Sequence, residues 1–265
     1  YSKDNYDYVY IIPSEVKNET RYKLNDEKYI LVNEILKAKR IHQIFYIIES
    51  FFSKEFIIEI IYILKSKRNI VAKIKDALKI VAYGMQSAKL ALKQIKKMNL
   101  SKDDNVVLYS YWLSITAFAC LKLKKSIEKK CNTIVVSRTH GHDLYEYRKK
   151  YEYLPFREFF YTNIDKIYPI SKNGQEYIYG KYSYNIINKI ELKYLGTPDY
   201  TSYNIRNMYL LEETNKNRFH LVSCSSIIPI KRLEFIIDVL KNINSFEITW
   251  YHLGDGESKE GILEY

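Results

Sequence analysis

The chain has 265 residues, a formal net charge of +11, 47% hydrophobic residues and 28% charged residues. This composition is typical of globular proteins and argues against intrinsic disorder, while 8 Gly and 5 Pro are too few for collagen-like or low-complexity sequence. No stretch is apolar enough for a membrane span, and no signal peptide opens the sequence. Three widely spaced cysteines, Cys120, Cys131 and Cys224, favour a reducing, cytoplasmic environment over a disulfide scaffold.

The basic charge and the 27 Tyr residues invite a nucleic-acid hypothesis, because aromatic rings stack on bases and basic groups bind phosphate. The tyrosines are nevertheless spread over the whole chain among many Ile, Lys and Asn residues. The codon usage of an AT-rich genome produces that combination without selection for binding. No recognition motif accompanies the charge, so nucleic-acid binding is kept only as an alternative.

The apolar pattern of the first half of the chain predicts one short strand followed by a largely helical region. Tyr8–Ile12 is a short apolar run with Pro13 after it, which predicts a buried strand. The segment Ile30–Leu64 is rich in apolar residues, and its length favours helices over strands. Apolar residues recur every three or four positions over Ile74–Met98, which predicts one long amphipathic helix. A strand is then expected at 105–110 and a helix at 111–124.

The second half alternates strands with helices. Such alternation predicts an α/β fold with a parallel sheet and helices on both faces. Ligands bind at the carboxyl ends of the strands in these sheets. Ser171 is a candidate N-cap for the helix that follows it. The predicted strands are 133–137, 166–170, 189–195, 220–224 and 246–251, and the remaining predicted helices are 155–161 and 231–241.

Ser137–Asp143 is the first polar cluster at an expected strand end. Arg138 and His140 suit an anionic or hydroxyl-bearing ligand, with Asp143 as an orienting carboxylate. The alternative is a polar loop whose side chains only cap the helix that follows. A zinc site at His140 and His142 is disfavoured, because no cysteine or third histidine stands at ligand spacing.

A second cluster follows strand 220–224 and leads into the helix predicted from Lys231. Helix N-termini favour phosphate, and Lys231 and Arg232 add positive charge there. The segment lacks the P-loop pattern, so a solvated basic helix start is an equal alternative. A third cluster, Gly254-Asp255-Gly256, allows a tight turn and close approach of a ligand to the backbone.

Taken in order, these pieces resemble glycosyltransferase family 4, whose members are retaining, nucleotide-sugar-dependent enzymes of the GT-B fold. The likeness runs from about Asn105 to the last residue and is closest to bacterial enzymes of surface polysaccharide synthesis. The segments that carry it are 109–112, 137–145, 165–171, 195–197, 223–232 and 252–256.

The resemblance implies two Rossmann-like domains, with the acceptor on the first and a UDP- or GDP-linked sugar on the second. It implies no metal and no cofactor, since protein cations and helix ends stabilise the leaving diphosphate. The acceptor would be a glycan or a lipid-linked glycan. The resemblance assigns His140 and Asp143 to catalysis, Lys231, Arg232 and Ser226 to the donor diphosphate, Gly254, Asp255 and Gly256 to the nucleoside side, and Arg138, Tyr111 and Trp112 to the acceptor side.

The sequence departs from the family pattern at several points. Ser226 stands where an Arg is usual, and Arg232 stands where a Gly is common. The Gly-rich loop ahead of the first strand and the paired glutamates of the donor domain are missing from the chain. We therefore expect a polypeptide cut at both ends and inactive by itself. Its expected parts are an acceptor-side domain at 1–204, a linker at 205–217 and the start of a donor domain at 218–265.

The sequence allows two further hypotheses about binding. Lys231 at a helix N-terminus would suffice for a non-catalytic nucleotide- or anion-binding module, which would bind a nucleotide diphosphate without turnover. The lysines of the helix Ile74–Met98 could hold a cytoplasmic protein on an anionic membrane surface. The alternative for that helix is a core element with a solvated basic face.

Overall fold

The structure is a computed structural model that describes residues 6–11, 29–31, 40–182, 184–196 and 218–265. The chain divides into two compact units, Tyr1–Gly196 and Thr197–Tyr265. The predicted boundary at Asn204 and the predicted linker at 205–217 lie outside the described residues.

Three helices precede the main sheet of the first unit. They are α1 (Arg40–Ser50), α2 (Lys54–Lys65) and α3 (Ile70–Ile95), and α3 ends in a 3-10 turn at Lys96–Met98. Ser53 caps α2 by accepting a hydrogen bond from the Phe56 amide at 3.3 Å. The long helix predicted over 74–98 is therefore confirmed, with its start four residues earlier.

The first unit contains a three-stranded parallel sheet in the order β3-β4-β5 and a parallel pair β1-β2. The sheet register places Ser110, the last residue of β3, opposite Ser137 of β4, and β4 continues for two more residues to Thr139. The elements are β1 (Val9–Ile11), β2 (Tyr29–Leu31), β3 (Asn105–Ser110), α4 (Ile115–Ile127), β4 (Asn132–Thr139), α5 (Gly141–Leu144), α6 (Arg157–Asn163), β5 (Lys166–Pro169) and α7 (Lys172–Lys181).

The strand predicted at 189–195 is wrong. A 3-10 turn occupies Tyr184–Lys189, and beyond it only Ile190 forms a bridge, to Ile167 of β5. The amides of Glu191 and Lys193 still donate to carbonyl groups of β5. Pro169 at the end of β5 has no N–H to return a bond, so the ladder cannot be completed there.

The core of the first unit lies between α3, α4 and the sheet. Its largest fully buried side chains include Phe118, Phe156 and Ile167. Gly84 lets α3 approach α4 closely, since a Cβ atom there would lie 2.7 Å from Cδ1 of Phe118. The apolar stripe of α3 is thus used for core packing, as the core-helix alternative predicts. No described helix is long and apolar enough to span a membrane.

The second unit is a β-α-β arrangement followed by a short helix. Strands β6 (Arg218–Cys224) and β7 (Glu247–Leu253) pair in parallel over their full length, with α8 (Leu233–Lys241) between them and α9 (Lys259–Glu264) after them. The described chain is therefore mixed α/β with parallel strands, as the alternation predicts.

The close approach at Gly84 yields a prediction about two glycines. Gly84→Ala should lower the free energy of unfolding by about 1–3 kcal/mol, because the ring of Phe118 is confined by Phe156 at 5.1 Å. Gly180→Ala in α7 is the matched control, since nothing lies within 4 Å of its added Cβ. The control should raise the free energy of unfolding by up to about 1 kcal/mol through helix propensity.

Urea denaturation followed by circular dichroism measures both effects. Equal stabilisation by the two substitutions would show that α3 and α4 do not meet at Gly84.

Candidate functional site

The candidate site lies at the carboxyl ends of the neighbouring strands β3 and β4. Ser110 closes β3 and lies opposite Ser137, two residues before the end of β4, and both serines are buried. The hydroxyl of Ser110 donates to the carbonyl oxygen of Trp112 at 2.6 Å, which fixes the turn that follows β3. The Tyr111–Trp112 turn and His140 thereby emerge at the same edge of the sheet, as expected for neighbouring parallel strands.

The carboxylate of Asp143 joins the loop after β3 to the end of β4. Its Oδ2 accepts a hydrogen bond from the Leu113 amide at 2.6 Å. Its Oδ1 accepts from the His140 amide at 2.6 Å and from the Thr139 hydroxyl at 3.0 Å. The side chain is buried, so both oxygens are used inside the protein. The structure places Asp143 as the residue that positions His140, and presents none of its carboxylate to the surface.

Arg157 supports the same junction from within. Its guanidinium donates to the carbonyl oxygens of Asp143 at 2.7 Å and Leu113 at 2.5 Å. The side chain is buried. Arg157 was not predicted from the sequence, because its partners are backbone carbonyls whose positions no sequence motif reveals.

His140 lies between two aromatic rings. Its ring centroid is 4.6 Å from that of Tyr111 and 4.4 Å from that of Trp112. The residue is only 7% exposed, and neither ring nitrogen has a hydrogen-bond partner among the described residues. Burial lowers the pKa of His140 below its usual value of 6.5, with Asp143 opposing the shift. The imidazole is therefore neutral at pH 7 and holds one unused donor and one unused acceptor.

The rim of the site is aromatic and basic. Tyr111 and Trp112 are 45% and 42% exposed, so both rings are also available to a ligand. Nε2 of His142 lies 3.2 Å from Nζ of Lys149, and burial lowers the pKa of that lysine. A lysine ammonium only donates, so Nε2 of His142 is the acceptor in this contact.

Arg138 lies near the end of β4, and its side chain contacts backbone carbonyl groups of the same chain. Its guanidinium donates to the carbonyl oxygen of Lys193 at 2.9 Å and to that of Tyr194 at 3.4 Å. These bonds hold the segment that runs alongside β5. Arg138 was predicted to contact the acceptor, and the structure gives it this structural role.

In the second unit, the loops after β6 and β7 bind each other. The Ser225 amide donates to the carbonyl oxygen of Leu253 at 3.1 Å, and the Ile227 amide donates to that of Asp255 at 2.9 Å. A Cβ atom on Gly254 would lie 1.8 Å from the carbonyl oxygen of Ser225.

The packing of these two loops also constrains Gly256, where a Cβ atom would lie 2.2 Å from the carbonyl oxygen of Ile227. The approach of the chain's own backbone thus explains both glycines, and the approach of a ligand to this turn stays a prediction. The exposed side chain of Asp255 accepts from the Gly256 amide at 3.0 Å.

The predicted helix start at Lys231 is wrong by two residues. Lys231 ends a 3-10 turn, and Arg232 adopts φ 52° and ψ 47° before α8 begins at Leu233. This left-handed conformation is one that glycine adopts more readily than other residues.

The cations of this turn are exposed, but its amides are occupied. The amides of Lys231 and Arg232 donate to the carbonyls of Ile228 and Pro229, so neither is free to bind phosphate. Glu234 in the first turn of α8 also opposes an anion. Lys231, Arg232 and Ser226 are all exposed, so their side chains face solvent.

A hydrogen-bonded trio on the sheet of the second unit was missed by the sequence analysis. Nε1 of Trp250 donates to Oγ of Ser223 at 2.9 Å, and Nδ1 of His252 lies 2.8 Å from the same oxygen. Nε2 of His252 lies 3.1 Å from the carbonyl oxygen of Ser225. The two-residue spacing of Trp250 and His252 was the available signal, since it places both side chains on one face of β7.

In the part of the chain that the structure describes, no three His, Cys, Asp or Glu side chains lie together as a metal site. The chain matches no protein-family model and no curated protein. The roles of its residues therefore rest on their geometry and chemistry.

The buried histidine yields a prediction about pH. Because the folded pKa of His140 lies below 6.5, the unfolded chain binds a proton first as the pH falls. The wild-type chain should therefore lose stability below about pH 6.5, and this contribution should be absent from His140→Gln.

Urea denaturation of both proteins at pH 7.5 and 5.5 tests this, because titration of all other groups cancels in the comparison. A wild-type protein that gains stability over His140→Gln on acidification would contradict the buried neutral imidazole.

Proposed function

We propose that the chain belongs to a retaining GT-B glycosyltransferase that transfers a sugar from a UDP- or GDP-sugar to a glycan or lipid-linked acceptor. The proposal rests on the environment of His140. Its ring is buried between Tyr111 and Trp112, and neither ring nitrogen has a hydrogen-bond partner among the described residues. This group stands at the carboxyl end of a parallel sheet, where such folds bind ligands.

The chemistry of the site suits a sugar. Sugar hydroxyls both donate and accept hydrogen bonds, and a neutral imidazole offers one nitrogen of each kind. The C–H faces of a pyranose pack against aromatic rings, and Tyr111 and Trp112 are both exposed aromatic residues. In this proposal His140 binds the sugar close to the reacting hydroxyl group, and Asp143 holds His140 in place.

The donor side is proposed in the second unit. Lys231 and Arg232 are adjacent exposed cations, and they would stabilise the negative charge that develops on the leaving diphosphate. The hydroxyl of Ser226 and the exposed carboxylate of Asp255 are the polar groups proposed to contact the donor nearby. We place the enzyme in the cytoplasm, where its three free cysteines stay reduced.

The test measures release of nucleoside diphosphate by the full-length protein from a panel of UDP- and GDP-sugars, with a glycolipid extract as acceptor. His140→Ala and Lys231→Ala should each lower turnover by about a hundredfold or more, because each removes one oriented group from the reaction. The matched controls are His220→Ala and Lys129→Ala, two exposed residues outside the site. Their turnover should stay near that of the wild type.

Two outcomes would contradict the proposal. Tight binding of a nucleoside diphosphate without turnover of any sugar would identify an anion-binding module. Turnover that survives both substitutions would remove His140 and Lys231 from the reaction.

A further inference from the structure

Helix α2 turns an apolar face to solvent. Five of its large apolar side chains are each close to half exposed, and Phe52 in the turn ahead of it is 85% exposed. An ordinary surface helix buries its apolar face and exposes its polar one. The exposed residues of α2 are Ile57, Ile58, Ile61, Tyr62 and Leu64.

The carboxylates of the same helix are turned inward. Glu59 is buried and accepts a hydrogen bond from the hydroxyl of Tyr153. Glu55 is paired with Lys122 and Lys125, and its side chain is only 8% exposed. The helix therefore shows no carboxylate on its apolar face.

The charges that remain exposed along this segment are all positive. Between Phe51 and Arg68, every exposed ionisable group other than Tyr62 is a cation. At 100° per residue, Lys54, Ile58, Ile61 and Lys65 fall on one face of the helix. The cations at the two ends of the helix are Lys54, Lys65, Lys67 and Arg68.

We propose that α2 and the Phe51–Phe52 turn form a docking face for an anionic lipid bilayer, on which the helix lies flat. An apolar stripe bordered by lysines and preceded by an exposed aromatic ring is the pattern of interfacial helices. The cations add attraction to anionic headgroups. This proposal does not rest on the proposed sugar transfer.

The positive charge of the docking face favours an anionic membrane over a second copy of the chain as its binding partner. A symmetric dimer through α2 would bring the lysines at its ends toward those of the partner, and the face has no exposed carboxylate to pair with them. Helix α3 is the other basic amphipathic element, but its apolar stripe is used in the core. Helix α2 instead offers both exposed apolar area and positive charge to a bilayer.

The test is co-sedimentation of the full chain with phosphatidylglycerol–phosphatidylcholine vesicles and with pure phosphatidylcholine vesicles. Binding should appear with the anionic vesicles and be much weaker with the neutral ones. The triple variant Phe52→Gln, Ile58→Gln, Ile61→Gln should reduce the partition coefficient by about tenfold or more. Its matched control replaces three exposed apolar residues elsewhere with Gln: Tyr83, Tyr194 and Leu263.

A second pair of variants tests the charge. Replacing Lys54, Lys65, Lys67 and Arg68 with Gln should weaken binding more than replacing four exposed lysines elsewhere, which removes the same charge. Equal loss from both quartets would attribute binding to net charge alone and overturn the docking face. The control quartet is Lys102, Lys129, Lys130 and Lys150.

A probe at Phe52 keeps the proposal testable if the triple variant misfolds. Phe52→Cys, in a Cys224→Ser background because Cys224 is exposed, carries an environment-sensitive fluorophore. Its emission should shift to the blue with anionic vesicles, whereas a probe at Leu263→Cys should not respond. An unshifted Phe52 probe, or a lipid-free dimer that the triple variant dissociates, overturns the proposal.

Discussion

The carboxylate of Asp143 is the interaction on which the candidate site depends. It receives three hydrogen bonds from the turn after β3 and from the end of β4. A buried carboxylate is costly unless such donors surround it, and the donors are equally costly to leave without an acceptor. The bonds therefore hold the Tyr111–Trp112 turn against His140, and Arg157 fixes the carbonyls of the same two segments. The aromatic rings that bury His140 stay in place through this junction.

The regular elements could be predicted from the sequence where one pattern dominates. The 3.6-residue periodicity located α3, and β-branched runs located β3, β4 and β5. Backbone chemistry outside those patterns caused the errors. Pro169 ends the ladder that residues 189–195 would have continued, and the left-handed backbone of Arg232 delays the start of α8. Neither effect changes the hydrophobic pattern, so periodicity could not reveal it.

The candidate site was predictable in part for the same reason. Polar residues directly after a strand are visible in the sequence, which is how His140 was identified, whereas Tyr111 and Trp112 were assigned through the family resemblance. The burial of His140 and the support from Arg157 depend on contacts between segments far apart in the chain. The glycines of the Gly254–Gly256 turn show a further limit, since a sequence cannot tell whether a ligand or the protein's own backbone requires them.

Amide hydrogen exchange in Asp143→Asn tests the central role of this carboxylate most directly. The Asn side chain keeps one acceptor oxygen and places an NH2 group against a backbone donor. The amides of Leu113 and His140 should then exchange at least about tenfold faster, with the Phe160 amide in α6 as an unchanged reference. Unchanged protection of Leu113 and His140 would show that the two loops hold together without Asp143 and would contradict this account.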